Sequence, residues 1–290
     1  MPIPPVTQGT SMDHLRTHGW CLLGNALAAD TLATLDADLA DAFATTPFCR
    51  GNFYGETTRR FGRLLMRSRH VEKLVLHPDI LAIAERVLLP ACDSIQLNTT
   101  QAIALHPGAP AQMPHRDQDM WQTIKGEREY LVNVMWPLTP FCRANGATMI
   151  WPDSHGRQAL QDHPGGAPVA IEMKPGSALI WLGSTLHGAG GNRSDTVRRG
   201  IVIGYSLGWL KPYENPWLAY PPAVARQFPP ALAALAGYRQ HRPNLGNFEG
   251  NCPSVLLDDS SPDRLGAVDA LRPDQQQLVD AHCNEQRGRR

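Results

Sequence analysis

The chain has no apolar run near the twenty or so residues that a membrane-spanning helix needs. Its first residues, Met1-Pro2-Ile3-Pro4-Pro5-Val6-Thr7, lack the basic stretch and apolar core of a secretory leader. An excess of either charge is lacking too. There are 27 basic and 27 acidic side chains, a formal net charge of zero, and the pI is near 7.2. Nucleic-acid and anionic-membrane surfaces normally carry a basic excess, so neither partner is expected. Six cysteines are scattered at 21, 49, 92, 142, 252 and 283, with no C-x-x-C pair among them. They read as free thiols and point to a reducing compartment, the cytoplasm. No segment repeats at a fixed period. What is present is bulk. The 290 residues, 42% of them hydrophobic, suffice for one large domain with a full core, or at most two small ones.

The hydrophobic period is helical first and strand-like later. Residues 1–11 read as a polar lead-in, Met12 to Gly19 as a short helix, and Trp20-Cys21-Leu22-Leu23 as a strand. Asp30 or Thr31 caps an amphipathic helix running to Phe43, with Leu32, Leu35, Leu39 and Phe43 at helical spacing. His14 and His18 lie one helical turn apart, but nothing nearby supplies a third metal ligand, so they are read as a solvated face. Thr46 to Gly62 is rich in Gly and Arg without periodicity and reads as a loop. Val71 to Leu89 reads as helix, interrupted at His77-Pro78.

From Ser94 the period changes. Ile95 and Leu97, Ala102–Leu105, Tyr130–Trp136, Ala147–Trp151, Val169–Met173, Ala178–Leu182 and Arg199–Ser206 are strand material. Short strands separated by Gly, Pro and Asn turns predict an antiparallel sandwich or barrel. Pro212 to Pro253, with a helical patch at Ala231–Tyr238, is read as a flap across its mouth; the plainer alternative is a packed C-terminal arm. Residues 12–256 are thus expected to form one domain, flap included. Residues 257–290 form a polar tail with one exposed helix and a frayed end.

The stretch that organises the rest is Gln112-Met113-Pro114-His115-Arg116-Asp117-Gln118-Asp119-Met120-Trp121. On an extended strand His115 and Asp117 point to the same face. An imidazole beside a carboxylate makes two thirds of the 2-His-1-carboxylate set that binds non-haem Fe(II). H-x-D alone is a weak signal, since most such pairs merely satisfy each other. A third ligand is available in His187, which follows the apolar run Ala178-Leu179-Ile180-Trp181-Leu182. Further on, Arg198-Arg199 opens another apolar strand, Gly200-Ile201-Val202-Ile203-Gly204-Tyr205. An arginine buried at the head of such a strand needs an anionic partner, because an isolated buried charge is costly.

Four linked pieces occur in order: His115-Arg116-Asp117; Asn145-Gly146 through Pro152-Asp153-Ser154-His155; His187-Gly188; and Asn192-Arg193-Ser194, followed by Arg198 eleven positions after His187. This order resembles the phytanoyl-CoA dioxygenase family of Fe(II)- and 2-oxoglutarate-dependent oxygenases, by eye over residues 12 to 256. The resemblance implies a mainly β, α+β fold: a double-stranded β-helix, the cupin-like jelly roll, under an N-terminal helical layer. It implies His115, Asp117 and His187 as metal ligands. It makes Arg198 the anchor of the far 2-oxoglutarate carboxylate, with Gln112 and Thr148 beside the cofactor. Arg199 would face the other way, and Arg193 would be solvated. In the Arg-rich loop Thr57–Leu64, similarity to fungal natural-product members points to Arg60 at the cofactor or substrate mouth. Met120, Trp121 and Trp151 are candidate substrate-pocket residues, core packing being the bland alternative.

Chemistry in that family runs by oxidative decarboxylation of 2-oxoglutarate with O2 to succinate and CO2, followed by hydrogen abstraction from an unactivated C–H. Asp117 stands where halogenases of the superfamily have a small residue, which argues against halogenation. Hydroxylation of a small apolar or natural-product-like metabolite is the expectation, with desaturation, epoxidation or ring expansion as variants. Related enzymes suggest a homodimer. The rival from another class is a catalytically silent zinc-binding, cupin-like sensor or scaffold. Arg198 speaks against it, since such a protein has no use for a 2-oxoglutarate anchor.

Overall fold

The computed structural model describes residues 8–160, 166–258 and 264–289. Helix α1 (Gln8–His18) leads directly into β1 (Trp20–Leu23), and helix α2 (Ala29–Thr45) follows. The expected cap at Asp30 or Thr31 lies two or three positions late. Ala28 is the N-cap and makes no side-chain cap bond, while Asp30 sits in the first turn and accepts from the Thr31 N–H at 2.7 Å. A carboxylate there still faces the positive end of the helix dipole.

Part of the expected loop is a strand, β2 (Thr58–Phe61). Its apolar period was invisible because three of its four residues are polar; pairing with the next strand supplies the order. Pro78 splits the following helical stretch into α3 (Val71–Val75) and α4 (Pro78–Leu88). Seven strands complete the set: β3 (Ile95–Leu105), β4 (Leu131–Pro137), β5 (Thr148–Ile150), β6 (Val169–Ile171), β7 (Ala178–Leu182), β8 (His187–Ala189) and β9 (Arg198–Leu207).

All the strands pair antiparallel, in a six-stranded sheet of order β1-β7-β4-β9-β3-β2 and a three-stranded sheet of order β6-β5-β8. Helices cover one face of the large sheet and the small sheet covers part of the other, which is a jelly-roll core under a helical layer. The alternation of strand side chains sorts residues between these two layers. Val132, Val134 and Trp136 of β4, and Ile201, Ile203 and Tyr205 of β9, pack against Leu35, Leu39, Leu74 and Ile80 of the helices. Met135, Leu179 and Trp181, on the other face, pack against Ile150 and Ile171 of the small sheet. β4 is buried at every position. That two-sided burial is why the sequence there reads as a continuous apolar run.

Of the segment expected to form a flap, Tyr213 near its start lines the cavity, and the helices that follow pack into the core. The segment contains α5 (Pro216–Ala219), α6 (Pro222–Ala225) and α7 (Pro230–Leu235). Ala219, Tyr220, Leu232 and Leu235 are buried in the main core, and the Tyr220 hydroxyl lies 2.8 Å from Thr100 Oγ1. It is a packed arm because its apolar side chains have a core to enter. The last helix, α8 (Pro273–Gly288), buries no residue. No helix among the described residues is long and apolar enough to cross a membrane. The six cysteines are unpaired.

Candidate active site

β8 begins at His187, and a single antiparallel bridge ties it to His115. The His115 N–H donates to the His187 carbonyl at 2.9 Å and the His187 N–H donates back at 3.0 Å. The regular strand expected through His115 and Asp117 does not form. Backwards from the bridge the next backbone bond to β8 comes only from the Gln112 N–H, on the Ala189 carbonyl at 2.9 Å, and at Asp117 the chain enters a 3-10 turn, with the Asp119 N–H on the Arg116 carbonyl at 3.0 Å. Arg116, between the two, is extended and turns inward, donating from Nε to the Ser184 carbonyl at 2.9 Å. His115 and Asp117 therefore still share one side, and with His187 their ligating atoms all lie within 4.8 Å of one another.

Both imidazoles are oriented through their backs. His115 Nδ1 lies 2.9 Å from the Met113 carbonyl and His187 Nδ1 lies 3.1 Å from the Thr185 carbonyl. A carbonyl can only accept, so each Nδ1 carries the proton and each Nε2 presents a lone pair when neutral. The two Nε2 atoms stand 3.3 Å from opposite oxygens of Asp117. Burial alone would raise the Asp117 pKa, but the charge of His187 and the hydrogen bonds from both histidines hold it well below the usual carboxylate range. Burial likewise works against the His115 imidazolium; Asp117 overcomes it and raises that pKa. The trio is thus a carboxylate between two aimed imidazoles, the donor set that suits a divalent transition metal.

These side chains open onto a cavity of about 390 Å³ walled by Ile103, Leu131, Met135 and Trp181 among others. Arg198 also lines it, although the residue is only 2% exposed. Its Nε and Nη1 have no hydrogen-bond partner among the described residues, and its guanidinium lies 4.2 Å from the centre of the Phe141 ring. Burial, and after it the like charge of Arg60, push its pKa down to about 9. A buried fork of donors with nothing to bind is costly unless an anion completes it. Arg199 points the other way, to Asp36 of α2 at 2.9 Å, and Arg193 is exposed.

Arg60 enters the same cavity from β2. Its Nη1 donates to Gln101 Oε1 at 3.3 Å, its guanidinium sits over the Tyr54 ring, and its Nε lacks a partner among the described residues. Gln112, Thr148 and Met120 line the wall of this cavity. Gln112 Oε1 accepts from the Ala189 N–H at 3.3 Å.

The tryptophans beside them do not line the cavity. Trp121 lies past the 3-10 turn, which swings its indole away to donate to the Lys211 carbonyl at 2.8 Å and pack on the main core. Trp151 follows the end of β5, where its N–H donates to the Leu186 carbonyl, and lies outside the lining. Trp181 does line it, 5.0 Å from the His187 ring. The sequence reading also missed Asn133 and the mouth residues Phe53, Tyr54 and Tyr213. The two tyrosine hydroxyls meet at 2.5 Å. Only Asn133 carried a signal, as the one polar side chain in an apolar strand.

The phytanoyl-CoA dioxygenase family model matches residues 15–200, which span α1 to the third residue of β9 and include every residue of this site but Tyr213 and Val202. The chain belongs to the phytanoyl-CoA dioxygenase family. Among its relatives, the dioxygenase trt7 of Aspergillus terreus is 29% identical over 248 residues, covering 81% of this chain and 86% of its own. The dioxygenase FrzG of Cladobotryum sp. is 32% identical over 232 residues, covering 72% and 74%. Solved structures share the fold at lower identity. The α-ketoglutarate-dependent epimerase SnoN of nogalamycin biosynthesis superposes with a TM-score of 0.59 at 19% identity, over 71% of this chain and 86% of its own. HygX of Streptomyces hygroscopicus, solved with nickel, 2-oxoglutarate and hygromycin B, gives 0.56 at 12%, over 72% and 90%.

Proposed function

We propose that this family member is an Fe(II)- and 2-oxoglutarate-dependent dioxygenase that hydroxylates an unactivated C–H bond of a small, largely apolar molecule. The observation that carries the reading is Arg198. A nine-tenths-buried guanidinium with two unsatisfied N–H directions opens onto the same cavity as the aimed His115, Asp117 and His187 trio. A zinc-binding scaffold would need the trio but has no use for the arginine.

In this reading His115 and His187 bind iron through Nε2 and Asp117 through a carboxylate oxygen, while Arg198 takes the far carboxylate of 2-oxoglutarate. Iron and the 2-oxo acid, when bound, supply the oxidation, with succinate and CO2 released. The protein's own work is placement and exclusion. The carbonyls of Met113 and Thr185 keep the imidazole tautomers fixed. Gln112, Thr148 and Arg60 offer polar contacts along the cofactor wall, and Ile103, Leu131, Met135 and Trp181 keep water from the reacting carbon. Met120, half-exposed at the rim, meets substrate.

Fold neighbours that are named an epimerase and a carbocyclase favour one second reading. The same hydrogen abstraction would end in desaturation, epimerisation or ring closure if substrate were held differently. Both readings predict a charge-transfer absorption band when 2-oxoglutarate is added to anaerobic Fe(II)-loaded protein. No band, with zinc found in the purified protein, would overturn the oxygenase reading. Product mass then separates the two: a gain of one oxygen marks hydroxylation.

A further inference from the structure

Asn133 is the single polar residue of β4, a strand otherwise composed of Leu131, Val132, Val134, Met135, Trp136 and Pro137 and buried throughout. An asparagine at 3% exposure in such a strand forfeits apolar packing on both sides, and a buried amide left unpaired costs about 1–3 kcal/mol. Its Nδ2 donates to Asp117 Oδ2 at 2.7 Å, the short end of the range for a charge-assisted bond. Asp117 is a carboxylate and can only accept, so the amide is oriented with nitrogen toward it.

The fold makes room for this amide. Asn133 pairs across the sheet with Gly204 of β9 and Trp181 of β7. A Cβ on Gly204 would lie 3.1 Å from Asn133 Oδ1, 3.4 Å from Asn98 Cβ and 3.4 Å from Thr99 Cγ2, tight enough to press the amide off its line. On its other edge Trp181 stands against the His187 ring. Asn133 therefore reaches the one member of the trio whose backbone lies in a 3-10 turn rather than in a strand. His115 and His187 are fixed by the bridge between them and by carbonyls behind their rings. Asp117 has no such backing, and apart from the two histidines Asn133 is the hydrogen-bond partner recorded for its carboxylate among the described residues.

We propose that Asn133 is the positioning residue of the metal centre. It holds the Asp117 carboxylate turned toward His115 and His187 before any metal arrives, so that binding needs no reorganisation of the ligand without backbone support. The proposal rests on the reading of the trio as a metal site. It predicts that deleting the amide weakens metal binding while the fold survives, because an isosteric apolar side chain suits the rest of the strand.

Co(II), whose visible ligand-field bands report coordination, serves as the probe. Titration of Asn133→Leu is expected to show a dissociation constant raised 10- to 100-fold over the parent, the range for removing a partner of a metal ligand, with altered band positions. Val134→Ala perturbs the same strand from its opposite face and should leave both unchanged. Should Asn133→Leu fail to fold, Asn133→Ala carries the same expectation, having lost the amide without added bulk. Affinity and bands equal to the parent in a folded Asn133 variant overturn the proposal, and so does an equal loss in Val134→Ala, which would make the effect general packing. A parent protein that binds no Co(II), or binds it equally well after His115→Ala, overturns the metal-site reading instead.

Discussion

At the scale of the residue, two arginines next to each other in sequence have opposite fates. Strand alternation turns Arg198 into the cavity and Arg199 to the helical layer, where Asp36 neutralises it. Removing a buried charge from its partner costs about 2–5 kcal/mol. Arg198→Ala should accordingly raise the 2-oxoglutarate concentration for half-maximal succinate release roughly 30-fold or more, with iron retained. Arg199→Ala breaks a partly exposed pair worth at most about 1 kcal/mol and should leave that concentration unchanged. The reverse pattern would show that the wrong arginine was assigned. His115→Ala and Asp117→Ala should each abolish iron binding, measured by metal analysis after gel filtration. Full iron occupancy in either would sink the proposed ligand set. The histidine pair of helix α1, expected on a solvated face, makes bonds within the protein: His14 Nδ1 meets the Trp20 carbonyl and His18 Nδ1 meets Asp153.

At the scale of the element, the site depends on turns that bring short strands within reach of one another. Gly146, just before β5, is the sharpest case. Its φ is +86°, a conformation that side chains other than glycine rarely adopt, and an added Cβ would come within 3.0 Å of both Leu105 and the Gly190 carbonyl. The leucine can shift, but the carbonyl belongs to the turn that follows β8. Gly146→Ala should therefore cost roughly 1–3 kcal/mol or more, read as a lower urea midpoint at unchanged slope. The lost stability should come with weaker metal binding, since Gly190 directly follows the strand of His187. A stability within about 0.5 kcal/mol of the parent, the range of an ordinary surface change, would mean that the turn relaxes freely.

At the scale of the whole molecule, the C-terminal arm is fastened to the start of β3 by Asp93. Asp93 accepts from Arg242 Nε at 2.9 Å and from the Arg242 N–H at 3.2 Å, and its own N–H donates to His241 Nε2 at 3.0 Å. The Arg242 hydrogen bonds, opposed by burial, hold the Asp93 pKa below its ordinary value. A carboxylate depressed in the folded state adds stability that is fully present above its unfolded pKa, about 3.9, and is lost as pH falls through the folded value. The melting temperature of Asp93→Asn should be lower than that of the parent at pH 7, and the gap should narrow below about pH 4. A gap independent of pH would assign the loss to packing instead of charge.

The sequence by itself determined the family, and it singled out His115, Asp117, His187 and Arg198 as the candidates that the fold brings to one cavity. Each depends on spacing along one chain: two residues for a shared face, eleven from a histidine to an arginine on a neighbouring strand. It also determined most strands, because alternating or continuous apolar runs follow directly from what a sheet buries. Tertiary structure alone decided what depends on partners far away in the chain. β2 is a strand only because β3 lies beside it, and the tryptophans at 121 and 151 leave the cavity because a 3-10 turn and a strand end redirect the backbone. The helices of the Pro-rich arm pack into the core, where Ala219, Tyr220, Leu232 and Leu235 are buried, and only Tyr213 near its start reaches the cavity. Asn133 became legible only when its amide was seen on Asp117, sixteen residues away in sequence. A lone polar residue in an apolar strand announces a constraint, and only the fold can name the atom that imposes it.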